Sequence, residues 1–148
     1  MINYNEFMIE ALKLAKLSFE EKEVPVGAVI VKDGKIVGKG RNRREQLKNA
    51  LSHAEIEAID DACKNLNSWR LDGCDLYVTL EPCPMCAGAI INARINKVVY
   101  GAKDEKCGAV SSVVSMFDLD FNHRPKVVSS VLEEDCSRLL SDFFKSLR

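Results

Sequence analysis

The chain has 148 residues and 47% hydrophobic content, enough to bury one core and too little to divide comfortably into two, so one domain spanning 1–148 is expected. Charge is nearly balanced, with 21 Lys+Arg against 22 Asp+Glu, which excludes a globally basic polyanion binder and leaves room only for a local basic patch. Residues 1–10 carry Glu6 and Glu10 and lack a basic region followed by an apolar stretch, and no apolar run approaches the ~18 residues of a membrane span, so a cytoplasmic protein without membrane attachment is expected.

Phe7, Ala11, Leu14, Ala15 and Phe19 recur at helical spacing, and Asn3 with Glu6 forms a capping-box pattern, predicting a first helix that ends near Lys22. Val24 to Val31 is a β-branched run, and Asp33-Gly34 separates it from Ile36-Val37-Gly38, a strong hairpin signal. From Arg41 to Asn49 the chain is polar and basic without an apolar period and reads as a loop. A helix follows from near Ser52, then a strand at Asp75 to Leu80, a helix at Cys83 to Ile91 and a strand at Lys97 to Tyr100. This alternation predicts an α/β fold with helices on both faces of a sheet. The stretch from Gly101 to Asn122 carries no clear pattern, while Val127 to Ser129 reads as a last strand. Ser130 and Glu133 form another capping-box pattern, and Leu132, Cys136, Leu139, Leu140, Phe143 and Leu147 predict a final amphipathic helix.

Six cysteines without an export signal are expected to be reduced thiols. Cys63, Cys74, Cys107 and Cys136 are isolated and read as small buried hydrophobes. Cys83 and Cys86 are different, because they stand three apart at a predicted helix start, where both side chains share a face and the helix dipole favours thiolates. Pro84 suits the first helical turn, since its missing amide hydrogen had no helical partner. Alone, such a pair is a redox couple or half of a zinc ribbon, but a ribbon needs a second pair and none exists. His53 alone is an ordinary polar residue, and Ser52 with Glu55 matches a helix capping box. Taken together, His53-Ala54-Glu55 and Pro82-Cys83-Pro84-Met85-Cys86 match the zinc deaminase signature, three ligands with one unligated acid. Two thiolates and a neutral imidazole formally cancel a zinc dication, leaving a fourth place for an activated water. Glu55 is then the proton shuttle that hydrolytic deamination requires.

Beyond these motifs the chain resembles the bacterial-type tRNA adenosine deaminases of the cytidine-deaminase-like superfamily. The likeness runs through residues 23–28, 40–43, 52–57, 76–88, 101–104, 122–124 and 141–144 and covers nearly the whole chain. It implies a three-layer α/β/α fold with a mixed five-stranded sheet, a homodimer with one Zn2+ per subunit, and conversion of the wobble adenosine of a tRNA anticodon stem-loop to inosine. It also implies that Asn42 contacts the flipped adenosine and that Val26 and Ala54 wall its pocket. Asp104, Lys106, Asn122 and His123 match positions around the flanking nucleotides, and Phe143 or Phe144 could stack on a base. Read without the resemblance, Asn42 is a turn residue, His123 a loop histidine, and either phenylalanine taken singly is core, although adjacent helical residues point about 100° apart and both are not expected to be core together. Arg41, Arg43, Arg44, Lys48, Lys145 and Arg148 are phosphate-contact candidates or ordinary solvated surface. The rival within the same chemistry is a free-base or nucleoside deaminase acting on guanine, cytosine or cytidine, and the more distant one is a non-catalytic zinc-stabilised binding subunit.

Overall fold

A computed structural model describes residues 3–148. Asn3 caps helix α1 (Tyr4–Glu20) by accepting from the Glu6 amide, as its capping-box pattern predicts. The buried face of α1 is Met8, Ala11, Leu12, Ala15 and Ser18, rotated from the predicted stripe, and Phe7, Leu14 and Phe19 lie at its margins. Strands β1 (Gly27–Lys32) and β2 (Lys35–Arg41) form the expected hairpin, with Asp33 and Gly34 both at positive φ as a two-residue turn of the primed type requires. β2 runs further than its sequence suggests because its glycines let a helix lie directly on it.

That helix is α3 (Ala54–Leu66), preceded by a four-residue helix α2 (Arg44–Leu47) inside the segment read as a loop. A Cβ on Gly40 would stand 2.1 Å from the Ala54 carbonyl oxygen, and one on Gly38 would stand 2.5 Å from that of Ala58. Ala54, Ala58 and Ala62 complete the close contact from the helix side. Strand β3 (Cys74–Leu80), helix α4 (Pro84–Ala93) and strand β4 (Lys97–Ala102) follow, then a 3-10 turn at Met116–Asp118, β5 (Lys126–Val128) and α5 (Glu133–Ser146).

The five strands form one mixed sheet in the order β2-β1-β3-β4-β5, with β1 antiparallel to both neighbours and β3, β4 and β5 parallel. Alternation along the strands sorts the core into two layers. Ala28, Ile30, Leu76, Val78, Val98 and Tyr100 pack with α3 and α4, while Val29, Val31, Tyr77 and Val99 pack with α1 and Cys136 of α5. The three-layer α/β/α architecture is thus present, built from β-branched strands that are covered on both faces.

Two capping expectations fail. His53, not Ser52, is the N-cap of α3, so the pattern formed by Ser52 and Glu55 closes no capping box. Likewise α5 starts from Leu132 in a left-handed conformation, without a side-chain cap from Ser130. Among the described residues no helix is long and apolar enough to cross a membrane.

Gly40 joins this packing to the site, because α3 carries His53 and Glu55 at its start. Gly40→Ala is expected to cost about 1–3 kcal/mol of stability by overpacking. Thermal melting should show a midpoint lowered by ~2–4 °C per kcal/mol lost, and metal analysis should show weaker retention.

Candidate metal centre

The sheet brings the starts of two helices together. His53 is the N-cap of α3 and Cys83 the N-cap of α4, both in extended backbone, and Pro84 occupies the first turn of α4 as its sequence position predicts. Two residues separate Cys83 from the end of β3, so the site sits beyond the carboxyl end of a parallel strand, where open α/β sheets hold their ligands. His53 Nδ1 lies 3.6 Å from the sulfur of Cys83 and 3.6 Å from that of Cys86. The three ligand atoms lie within 4.8 Å of one another.

That spacing can be tested against the coordination chemistry. Zinc bonds of about 2.3 Å to sulfur and 2.0–2.1 Å to nitrogen at tetrahedral angles separate the two donors by about 3.5–3.6 Å. Both nitrogen–sulfur distances fit. Protonation points the same way. The Cys86 hydrogen bond, together with the His53 ring, outweighs burial and pulls the Cys83 thiol down to about 4. The reciprocal bond to Cys83, with burial and the charge of Glu55, pushes Cys86 well up, so the protein alone stabilises one thiolate here. A central dication would make the second favourable.

Glu55 stands outside the ligand group yet lines the same pocket, and is 4% exposed. Burial pushes its carboxyl up to about 7, with a further push from Cys83, against the opposing effects of the helix-start amide and His53. A carboxyl balanced near neutrality can both accept and return a proton.

The cavity holds roughly 200 Å³, and its wall includes Val24, Val26, Asn42, Arg44, Ala54, Leu80, Glu81, Asp104 and Cys107. This is smaller than the ~300–1,000 Å³ of drug-sized ligand sites and matches a single planar base better than a whole nucleotide. A larger surface groove of roughly 670 Å³ lies elsewhere; its lining includes Arg43, Glu57, Asp60 and Lys64 and no member of the metal-ligand group.

Val26, Ala54, Asn42 and Asp104 therefore share one pocket with His53 and Cys83 of the candidate ligand group. The Asn42 amide donates to the Val24 carbonyl at 3.1 Å and its oxygen accepts from the Arg44 amide at 3.2 Å, so it is held as a turn residue while facing the cavity. One N–H and one lone pair of that amide remain for a ligand. Lys106 is exposed on the loop that Asp104 begins. Asn122 and His123 lie outside this cavity: Asn122 lines a separate depression with Arg94 and Phe121, and the His123 ring hydrogen-bonds the Ile95 carbonyl. The two phenylalanines divide as adjacent helical residues must, with Phe143 buried edge-on against Phe19 and Phe144 49% exposed.

Other sequence readings change. Arg41 pairs with Glu21 and Arg43 with Glu57, whereas Arg44 forms no ion pair among the described residues and faces the cavity. Buried Glu23 accepts from the amides of Glu45 and Gln46, fixing the turn that carries Arg44. Cys74 and Cys136 are buried as expected and Cys63 is partly so, but Cys107 is exposed, on the irregular loop at the cavity wall. Glu81 was not legible as a site residue, although it directly precedes Pro82-Cys83.

The family model for MafB19-like deaminases matches residues 2–148. The tRNA-specific adenosine deaminase of Bacillus subtilis (strain 168) is 50% identical over 96% of this chain and 89% of its own length. A solved structure from work on A-to-I editing by tRNA:A34 deaminases at the wobble position of transfer RNA is 46% identical, with a TM-score of 0.88 over 90% of this chain and 98% of that one. The guanine deaminase of Bacillus subtilis is 35% identical, with a TM-score of 0.67 over 99% of this chain and 94% of that one.

Removing one sulfur should dismantle the centre. Cys86→Ala is expected to lower the metal-to-chain ratio from about one to near zero, with a lower melting midpoint. Elemental analysis and calorimetry check this.

Proposed function

The chain belongs to the tRNA-specific adenosine deaminase family, and from that premise we propose that it converts the wobble adenosine of a tRNA anticodon to inosine, as a cytoplasmic single-domain homodimer with one zinc per subunit. The observation that carries this reading is the pairing of a tetrahedrally spaced His53, Cys83 and Cys86 with a buried, unligated Glu55 in a base-sized cavity. Zinc held by those three donors would supply the Lewis acidity that makes water nucleophilic near pH 7.

The reaction adds water across the amidine carbon of adenine and releases ammonia. Glu55 accepts a proton from the attacking water, delivers one to the adjacent ring nitrogen and then passes one to the leaving amine. Burial suits it to both directions of transfer, and exclusion from the ligand group leaves its carboxyl uncoordinated. Val26 and Ala54 offer apolar walls to the base, and Asn42 offers its remaining donor and acceptor. A base reaches such a cavity most cheaply from a loop, where unstacking costs least.

Arg44 argues for a polynucleotide substrate over a free base, since a base alone has no phosphate for the guanidinium. Asp104 on the cavity wall and exposed Lys106 beside it would meet the neighbouring nucleotides, and exposed Phe144 offers a stacking face. Asn122 and His123 would meet the RNA farther from the reacting base. Exposed Val113, Val114, Leu119 and Phe121 along one segment support the homodimer.

The decisive assay offers the purified protein an anticodon stem-loop with a wobble adenosine and, separately, guanine, cytosine, cytidine and free adenosine. Inosine in the RNA is expected; ammonia from a free base or nucleoside with no inosine in RNA overturns the reading. Glu55→Ala should keep its zinc and lose turnover by at least about 10²–10⁴-fold, as metal analysis and single-turnover kinetics will show. Arg44→Ala should flatten the salt dependence of stem-loop binding by about 0.7 in the log–log slope, the contribution of one single-stranded phosphate contact.

A further inference from the structure

Asp104 is on the cavity wall, yet residues 103–112 form neither helix nor strand. Backbone amides in such a segment need partners outside the regular ladders. Here four of them, with one hydroxyl, converge on a single side chain. Glu81, 2% exposed, accepts from the Asp104 amide at 3.1 Å and the Ser112 hydroxyl through Oε1. Its Oε2 accepts from the amides of Val110 at 3.1 Å, Ser111 at 2.8 Å and Ser112 at 3.0 Å.

Gly108 closes the wrap. A Cβ there would stand 2.4 Å from the Glu81 carboxyl carbon and 2.5 Å from Oε2, so the loop can fold round the carboxylate only with glycine at this point. The Gly108 amide donates to the Asp104 carbonyl at 2.8 Å, and Asp104 Oδ1 accepts from the amides of Lys106 and Cys107. The loop thus inherits its shape from Glu81 at both ends.

We propose that Glu81 is a positioning residue that sets substrate recognition, acting through the 104–112 loop and taking no part in proton transfer. A carboxylate has about four lone-pair sites, and five donors already occupy this one. It has no acceptor left for a substrate. Two acids on one cavity therefore divide the work: Glu55 is buried without such a donor set and moves protons, while Glu81 is saturated and holds the wall that carries Asp104. Its role in recognition rests on the deaminase reading above.

Glu81→Gln keeps the volume but replaces one acceptor by an NH2 that faces two or three donors. It should raise KM for the anticodon stem-loop by about tenfold or more, with kcat within about threefold and zinc content unchanged. Amide hydrogen exchange should show lost protection at Asp104, Val110, Ser111 and Ser112 while α4 keeps its own. Gly108→Ala keeps the Glu81 side chain but forces the loop and the carboxylate apart, and should reproduce the KM effect, which keeps the proposal open to refutation if the first variant does not fold. An unchanged KM in both variants overturns the proposal, and so does loss of zinc or a fall in kcat with KM held, since either assigns Glu81 to the metal or to the chemistry. If the wild-type protein makes no inosine, the functional reading fails instead; exchange, with KM on whichever substrate the protein does deaminate, still decides the role of Glu81.

Discussion

Two sulfurs and an imidazole nitrogen lie within 4.8 Å of one another at the point where α3 and α4 both begin, and the remainder of the molecule is arranged around that convergence. Helix starts present unpaired amides and the positive end of the backbone dipole, so they are the places in a fold where thiolates and carboxylates are most readily accommodated. The glycines of β2 bring α3 close enough to present His53, and the parallel β3-α4-β4 crossover presents Cys83 and Cys86 opposite it. Neither helix could move by an ångström without spoiling donor spacings that match a tetrahedral ion.

Around the centre, three buried glutamates show how environment assigns different roles to one side-chain type. Glu55 is desolvated and is raised to about 7, which suits proton transfer. At Glu81, burial pushes upward, but hydrogen bonds from Ser112, Ser111 and Asp104 outweigh it and hold the carboxyl below its ordinary range. Glu23 anchors the turn on the opposite wall through two amides. The carboxylates of Glu81 and Glu23 are thus matched to backbone amides, and no buried side-chain nitrogen or oxygen among the described residues lacks a partner.

Much of the fold was legible because its signals are local. The Asp33-Gly34 turn, the Asn3 cap and the alternation of short β-branched runs with helical stretches are consequences of backbone sterics over a few residues, and all appear where they were read. What failed was equally local in form but decided by packing. Ser52-Glu55 and Ser130-Glu133 match capping boxes, yet Glu55 is drawn into the cavity and α5 starts from a left-handed Leu132, so tertiary contacts overrode the pattern. The stripe on α1 keeps Ala11 and Ala15 but loses Phe7, Leu14 and Phe19 to its margins, because the helix backbone at Ala11 and Ala15 lies against Gly27 of β1 and turns Met8 and Leu12 inward.

The sequence by itself determined the chemistry of the centre. Two cysteines three apart at a helix start and a His-x-Glu at another mark three candidate ligands and one spare acid, because spacing along a helix puts the two cysteines on one face. Which side chains surround the cavity emerges only in the folded chain, since Asn42 with Arg44, Glu81 and Asp104 come from three separated segments with no common period. Tertiary structure separated free Arg44 from the paired Arg41 and Arg43, exposed Phe144 from buried Phe143, and Cys107 from the buried thiols. It also left Asn122 and His123 away from the cavity. Ion pairing and burial depend on neighbours distant in the chain, and a linear pattern carries no record of them.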